Sequence, residues 1–135
     1  FSTLYFRTLL KSAKRNIKQL LLDQTKVCGV GNIYASEAMF IARVNPLAAA
    51  NTISAKKATA LREAILAVMN ETLELGKNIS PDKENIGGNI YGADSDAEWR
   101  VYGREGEPCP RCEKPIKRIV QGTRSTFFCP KCQRR

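Results

Sequence analysis

Apolar residues in the first three quarters of the chain recur at helical spacing. The clearest stripe has members three or four positions apart, namely Ala58, Leu61, Ile65, Val68, Thr72 and Leu75. It predicts a long helix that begins at Ser54. Gly76 is expected directly after the helix end, because glycine readily adopts the left-handed conformation that closes helices.

Two shorter helices are predicted before the long one. The first begins at Ser2 or Thr3 and runs to about Lys14, with four apolar residues near one face: Leu4, Leu9, Leu10 and Ala13. The second has Asn32 as its N-cap and ends near Arg43, ahead of Asn45-Pro46. Between them, residues 20–22 (three leucines) predict a short buried turn before Asp23.

The last third of the chain has a different pattern. Residues 77–97 are rich in Asn, Gly, Asp and Ser and predict a long loop, and residues 98–102 predict a strand or an extended lead-in. Residues 116–121 and 126–129 predict two strands, with residues 122–125 as the tip of the hairpin between them. We therefore expect a mainly α fold with a small β-hairpin, divided into a helical domain over 1–103 and a second unit over 104–135.

Charge is concentrated at the two ends of the chain. The 135 residues carry a net charge of +9, of which residues 1–26 contribute +5, residues 27–103 contribute −2 and residues 104–135 contribute +6. Two basic segments around a near-neutral middle indicate a surface for a polyanion such as nucleic acid, although basic faces also keep small domains in solution.

The sequence gives no sign of membrane insertion or export. It has no run of 18 apolar residues, and residues 1–13 lack the apolar region of a signal peptide. We expect a cytoplasmic protein of the bacterial type, associated with the nucleoid and not secreted, and nothing in the sequence argues for more than a monomer.

Four of the five cysteines form two Cys-x-x-Cys pairs separated by sixteen residues. They are Cys109, Cys112, Cys129 and Cys132. This spacing is typical of a zinc ribbon, in which two turns supply four thiolates to one tetrahedral ion; a redox dithiol and an iron site are the alternatives. Because no open ligand position and no histidine exist, one structural zinc ion is expected. Cys28 stands apart and fits a small buried apolar residue.

Two further features are candidate anion contacts. The turn Gly29-Val30-Gly31-Asn32 precedes a predicted helix, whose free N–H groups and positive dipole end suit a phosphate, although such turns often only connect two helices. Arg124, at the predicted hairpin tip, is either an ordinary solvated arginine or a second phosphate contact. A Rossmann nucleotide site is excluded, because Tyr34 stands where its third glycine would be.

These segments together resemble one family. Residues 22–24 and 29–37 are similar to the helix–two-turn–helix (H2TH) motif of formamidopyrimidine-DNA glycosylases, residues 101–109 to the lead-in of that family's zinc finger, and residues 124–129 to its hairpin tip. The similarity covers nearly the whole chain, and residues 101–104 favour this branch over the related endonuclease VIII type. The resemblance implies a helical H2TH domain followed by a four-cysteine zinc ribbon.

The resemblance also implies residue roles. Asn32, together with Gly31 of its turn, matches the family's asparagine that contacts backbone phosphates near the lesion, and Arg124 matches the arginine that grips the phosphates around the flipped nucleotide. Lys18 is matched to a phosphate-contacting lysine. The segment from about residue 78 to residue 92 corresponds to the loop that covers the extruded base. Double-stranded DNA with a damaged or abasic site is the implied partner.

The segments that carry the resemblance do not include the family's catalytic residues. The family's nucleophile is an N-terminal proline followed by a glutamate, in a separate β-sandwich domain, whereas this chain begins with Phe1. Glu37, the carboxylate of the motif, is expected to have a structural role. We therefore expect the C-terminal half of a base-excision repair glycosylase and AP lyase that acts on oxidised purines such as 8-oxoguanine, inactive without its N-terminal domain. A non-enzymatic DNA- or RNA-binding zinc module is the alternative.

Overall fold

A computed structural model describes residues 2–23, 31–78 and 99–134, and for residues 72–78 it describes the backbone alone. The described part contains the helices α1 Thr3–Ser12, α2 Ile17–Leu22, α3 Asn32–Ala42 and α4 Ala55–Asn78, a 3-10 turn at Ala50–Thr52, and the antiparallel strands β1 Lys117–Gln121 and β2 Arg124–Phe128. The expectation of a mainly α fold with one β-hairpin is confirmed.

The two N-terminal helices are both capped by side chains. Ser2 accepts a hydrogen bond from the backbone of α1 and Asn16 does the same for α2, which satisfies N–H groups that lack a partner within the helix. The predicted apolar face of α1 was partly wrong, because Leu4 is 74% exposed while Phe6 and Leu10, one turn apart, enter the core. The predicted turn at residues 20–22 was also wrong, since these leucines form the end of α2.

The start of α3 differs from the prediction by one residue. Gly31 is the N-cap and Asn32 is the first residue of the helix, so Asn32 does not cap it. The side chain of Asn32 is instead engaged by the distant hairpin, where its Nδ2 donates to the carbonyl oxygen of Ser125 at 3.0 Å. The predicted end near Arg43 is confirmed, with Arg43 in the left-handed region at φ 61° and ψ 37°.

Helix α4 packs its apolar stripe against α3. The predicted start at Ser54 is confirmed to within one residue, since the helix begins at Ala55 and the Ser54 hydroxyl accepts from the N–H of Lys57 at 3.2 Å. The described members of the stripe, residues 58, 61, 65 and 68, are all buried as predicted. The predicted end before Gly76 was wrong, since the helix continues to Asn78. A glycine inside a helix costs only about 1 kcal/mol, which is too little to end a long packed helix.

The turn of the hairpin is tighter than predicted, and its second strand begins two residues earlier. Gln121 pairs with Arg124, so the turn consists of Gly122 and Thr123 alone, and Arg124 is the first residue of β2. The turn depends on Gly122, which takes φ +66°. Residues 99–102 form a bent lead-in without a strand. Of the predicted loop 77–97, residues 77 and 78 belong to α4 and the rest lies outside the described residues.

Two apolar clusters form the interior. The larger joins α1 to α4, and the smaller surrounds the four cysteines and includes Phe40 of α3 together with Val101 and Tyr102. The boundary at 103/104 stays a prediction, and the lead-in packs with the cysteine unit. No helix within the described ranges has a stretch apolar enough to cross a membrane.

Candidate nucleic-acid interface and zinc centre

The four predicted cysteines lie together, with all sulfur atoms within 4.8 Å of one another. The Sγ atoms of Cys109 and Cys132 are 3.8 Å apart and those of Cys112 and Cys129 are 3.5 Å apart, which is far beyond a disulfide bond. Four sulfurs around a zinc ion at about 2.3 Å would be roughly 3.8 Å from each other. The cluster therefore has the dimensions of a tetrahedral zinc site.

Backbone geometry fixes the sulfurs in place. The N–H of Arg111 points to the sulfur of Cys109 at 3.3 Å, and the N–H of Cys132 points to the sulfur of Cys129 at 3.4 Å. Such bonds stabilise thiolates, which are the form that binds metal. Both Cys-x-x-Cys turns are thus arranged for metal binding by their own local structure.

Arg111 fixes the first cysteine turn on the C-terminal end of α3. Its guanidinium lies 3.8 Å from the centre of the Phe40 ring and donates to the carbonyl oxygen of Phe40. A cation is favourable at a helix C-terminus, where unpaired carbonyl groups carry partial negative charge. Arg111 was not among the predicted site residues, because its partners are about 70 positions away.

Gln133 fixes the second cysteine turn on the segment directly after α3. Its fully buried side chain donates to the carbonyl of Val44 at 2.9 Å and accepts from the N–H of Cys129 at 2.8 Å, and its own carbonyl accepts from Asn45 at 2.8 Å. This residue was also missed from the sequence. The cysteine unit is therefore held on the helical domain by polar contacts as well as by apolar packing.

Glu37 ties the middle of α3 to the lead-in of the cysteine unit. The carboxylate is fully buried and accepts from three successive backbone N–H groups, those of Arg100, Val101 and Tyr102, at 2.7, 2.8 and 3.0 Å. The pKa of Arg100 is raised, first by its hydrogen bond with Glu71 on α4 and also by the charge of Glu37. The structural role expected for Glu37 fits these contacts.

Three of the predicted DNA-binding residues meet in one hollow. Gly31 and Asn32 reach it from the start of α3 and Arg124 reaches it from the hairpin, and the hollow of about 240 Å³ is also lined by Ile33, Tyr34 and Tyr102. The first N–H groups of a helix have no partner within it, and the first turn of α3 carries no acidic residue. Helix dipole and arginine together make this hollow attractive to an anion.

Asn32 can serve the hairpin and a ligand together. The amide nitrogen of Asn32 has two hydrogens, and one of them is donated to the carbonyl of Ser125. The second hydrogen can be donated to a ligand. The Oδ1 atom is buried and has no hydrogen-bond partner among the described residues. The tyrosines of the hollow were not predicted, although Tyr102 lies in a segment that carries the resemblance.

The fourth predicted residue, Lys18, lies outside the hollow. Its side chain has no exposed surface and its Nζ donates to the hydroxyl of Thr126 at 2.6 Å. Burial lowers the pKa of Lys18 to about 8, and the charge of Arg124 contributes in the same direction. A direct contact with a ligand would therefore require this side chain to move.

A larger hollow of about 570 Å³ lies at the opposite end of α3. It is lined mainly by small and aliphatic residues, with Lys57 and Arg134 at its side. It contains none of the predicted site residues, so size alone does not identify the functional surface.

Two family models together match most of the chain. The model described as the formamidopyrimidine-DNA glycosylase H2TH domain matches residues 1–84, and the model of a zinc finger found in FPG and IleRS matches residues 106–135. With four sulfurs at tetrahedral spacing, the second match identifies the cysteine cluster as the site of one structural zinc ion. The prediction of zinc is confirmed over the redox and iron alternatives.

Relatives of known sequence are formamidopyrimidine-DNA glycosylases. The protein of Crocosphaera subtropica is 44% identical over 133 residues, which cover 98% of this chain and 46% of that protein. The protein of Thermus thermophilus is 43% identical over 129 residues, which cover 96% of this chain and 48% of that protein. The chain thus spans about half the length of the curated relatives it matches.

Solved structures give the same result. MutM (Fpg) from Thermus thermophilus superposes with a TM-score of 0.81 at 38% identity, over 98% of this chain and 50% of that one. MutM in complex with DNA containing carbocyclic 8-oxo-G superposes with a TM-score of 0.85 at 34% identity, over 100% of this chain and 47% of that one. Fpg from Lactococcus lactis in complex with abasic-site DNA superposes with a TM-score of 0.85 at 31% identity, over 100% of this chain and 48% of that one. The chain therefore belongs to the formamidopyrimidine-DNA glycosylase H2TH family and carries an FPG-type zinc finger.

Proposed function

We propose that this chain binds double-stranded DNA through the hollow of Gly31, Asn32 and Arg124, as the DNA-holding half of a base-excision repair glycosylase and AP lyase. The observation that carries the proposal is the meeting of Asn32 and Arg124 in one hollow, although they are 92 positions apart. Similar proteins have been solved with damaged or abasic-site DNA, which supports the same ligand here.

The expected division of roles follows from the residues in the hollow. Helix N–H groups, an amide and a guanidinium can all donate to phosphate oxygens, and contacts with phosphates position a duplex without reading its bases. The chain has no histidine, and the one buried carboxylate of the motif, Glu37, is committed to backbone N–H groups. We therefore assign cleavage of oxidised purines such as 8-oxoguanine to a protein that also contains the other half of the family's architecture.

Lys18 is a buried residue next to the same interface. It has no exposed surface, so we assign it an indirect role behind the hollow. The expected setting is the bacterial cytoplasm, with the protein acting as a monomer on the chromosome.

Salt-dependent binding tests the hollow. Affinity for a duplex is measured by fluorescence anisotropy across salt concentrations for the wild type and the Arg124→Ala variant. Each phosphate contact contributes about 0.9 to the slope of log affinity against log salt, so Arg124→Ala should weaken binding and flatten the slope by about that amount. Lys117→Ala is the matched control, because Lys117 is an exposed cation at the opposite end of the same hairpin. Equal slopes for the two variants would rule out a phosphate contact at Arg124.

Borohydride trapping tests the division of roles. Borohydride converts a Schiff base between protein and lesion sugar into a stable covalent complex. With duplexes that contain 8-oxoguanine, an abasic site or neither, we expect salt-sensitive binding without a trapped band. A trapped band would show that an amine of this chain performs the chemistry itself. Binding of single-stranded RNA as tightly as damaged duplex would favour the non-enzymatic module.

A further inference from the structure

Lys18 is a buried cation without a carboxylate partner among the described residues. Its Nζ donates to the Thr126 hydroxyl, which donates at 2.7 Å to Oε1 of Gln121, and Nε2 of Gln121 donates at 3.1 Å to the carbonyl of Pro46. Every member of this chain of hydrogen bonds beyond Lys18 is neutral. Within the described residues, the Lys18 ammonium therefore contacts dipoles and no anion, and burying an ion in this way costs free energy.

The charged groups on the described parts of the surrounding elements supply no anion to Lys18. Directly after α2, Asp23 is paired with Arg15, and on α3, Glu37 is committed to the lead-in. On β2, Arg124 is two positions before Thr126, so the two side chains leave the strand on the same face. Lys117 of β1 is exposed at the far end of the hairpin.

Lys18 and Arg124 are therefore neighbouring cations, although Arg124 alone of the two lines the hollow. Arg124 lines the hollow and Lys18 lies behind the hairpin that carries it. The charge of Arg124 contributes to lowering the pKa of Lys18 to about 8, after the larger effect of burial. An anion in the hollow would act on Lys18 with the opposite sign, because an opposite charge favours the charged form of its neighbour.

We propose that Lys18 is a positioning residue that takes up a proton when a DNA phosphate binds at Arg124. The inference rests on the proposed function of the hollow. Lys18 holds Thr126 and, through it, both strands of the hairpin, and the hydrogen bond to Thr126 is available to the amine and to the ammonium. Only the ammonium adds to the positive field that the phosphate meets.

The linkage has a definite sign. Binding raises the affinity of Lys18 for a proton, so protonation of Lys18 must raise the affinity for DNA by the same factor. Below about pH 8 the free protein already carries the proton, and affinity is at its maximum. Above that pH affinity falls, by at most about tenfold per pH unit, until Lys18 also deprotonates in the complex.

Duplex affinity between about pH 7 and 10 tests the proposal with the zinc-loaded chain. The Lys18→Met variant keeps an unbranched side chain and removes the charge, and the Lys18→Arg variant keeps a charge that does not titrate. We expect the wild-type affinity to fall by up to about tenfold per unit above pH 8, beyond any fall in the two variants. Parallel curves for wild type and Lys18→Met would overturn the inference, as would a curve for Lys18→Arg with the wild-type inflection.

Proton counting gives a second measurement that does not depend on the stability of a variant. Titration calorimetry at about pH 8.5 in two buffers of different ionisation enthalpy should give an uptake of a measurable fraction of one proton by the wild type. No uptake would overturn the inference while leaving DNA binding intact. Absence of salt-sensitive binding at neutral pH would instead remove the proposed function, and the inference with it.

Discussion

Oε2 of Glu37 lies 2.8 Å from the backbone nitrogen of Val101, 64 positions further along the chain. This contact, with those to the two neighbouring N–H groups, makes a helix carboxylate the anchor of the zinc-finger lead-in. A carboxylate is suited to the task, because it can accept several hydrogen bonds and backbone N–H groups in a turn can converge on it. Helix α3 therefore lines the candidate interface with its first residues, bonds the lead-in through Glu37 in its middle, and contacts the finger near its end.

Replacing Glu37 should separate the lead-in from α3. The Glu37→Leu variant leaves three backbone N–H groups without an acceptor, one buried and two partly buried. A buried group without a partner costs about 1–3 kcal/mol, so we expect the unfolding free energy to fall by about 3 kcal/mol. Urea denaturation monitored by circular dichroism measures the change. Glu71→Leu is the control, because its half-exposed carboxylate bonds the Arg100 side chain and no backbone group among the described contacts. An equal loss in both variants would contradict the anchoring role.

The helices and zinc ligands were largely predictable because their signals are local. Cysteine spacing, the stripe of α4 and the motif around Gly31 each occupy a short window of sequence. The roles of Glu37 and Asn32 were not readable in this way, since their partners are 63 to 93 positions distant. An asparagine before a helix has the same local sequence whether it caps the helix or bonds a distant carbonyl.

The burial of Lys18 is a second example of this limit. Lysine is almost always exposed, which agrees with the phosphate contact that the resemblance implied for Lys18. In the structure the hairpin covers it, and the contact with Thr126 spans 108 positions. The three-dimensional arrangement turns a predicted surface cation into a buried one with an altered pKa.

Asn32→Ala should weaken DNA binding without loss of helix. Because Gly31 is the N-cap, truncating Asn32 removes no capping bond from α3, whereas it removes a candidate phosphate donor and the bond to Ser125. We expect a drop in affinity of about tenfold, in line with the loss of one or two hydrogen bonds of about 1 kcal/mol each. Anisotropy and far-ultraviolet circular dichroism are measured together, with the exposed Asn51→Ala as control. Loss of helical signal would mean that Asn32 has a structural role in α3.

Removal of zinc should unfold the finger and leave the helices. The small cluster around the cysteines holds few apolar residues apart from Phe40 and the lead-in, so metal binding should supply most of the finger's folding free energy. On chelation, the dispersed amide signals of β1 and β2 should collapse in an NMR spectrum while those of α3 and α4 remain. Hairpin dispersion that survives in metal-free protein would contradict this dependence.

Arg111→Leu should loosen the finger from α3. The variant loses the cation–π contact with Phe40 and the bond to its carbonyl, which together are worth about 1–3 kcal/mol in a partly buried setting. The second cysteine turn offers a matched control, since Lys131 takes the equivalent position in Cys129-Pro130-Lys131-Cys132 and is exposed. Hydrogen exchange of the hairpin amides is the measurement. Faster exchange in Lys131→Leu to the same extent would deny Arg111 a specific role.

The stability of the DNA-free protein should depend on pH through Lys18. Its pKa in the folded chain is about 8, below the ordinary value of 10.5, so between these two values the unfolded chain binds more protons. Stability contributed by this group therefore rises as pH increases from 8 to 10.5. Lys18→Met does not carry the penalty of the buried charge. The unfolding free energy of the wild type minus that of the variant should thus increase by up to about 1.4 kcal/mol per pH unit in this window.

Urea denaturation of the zinc-loaded wild type and Lys18→Met at several pH values from about 7 to 10 measures this difference. Taking the difference cancels the titration of groups that both proteins share. Lys114→Met, at an exposed position, should leave the difference from wild type constant with pH. A constant difference for Lys18→Met as well would mean that the buried ammonium keeps its ordinary affinity for protons. The pH dependence of DNA affinity would then lose its physical basis, because a lysine that stays charged throughout this range has no proton to take up when a phosphate binds.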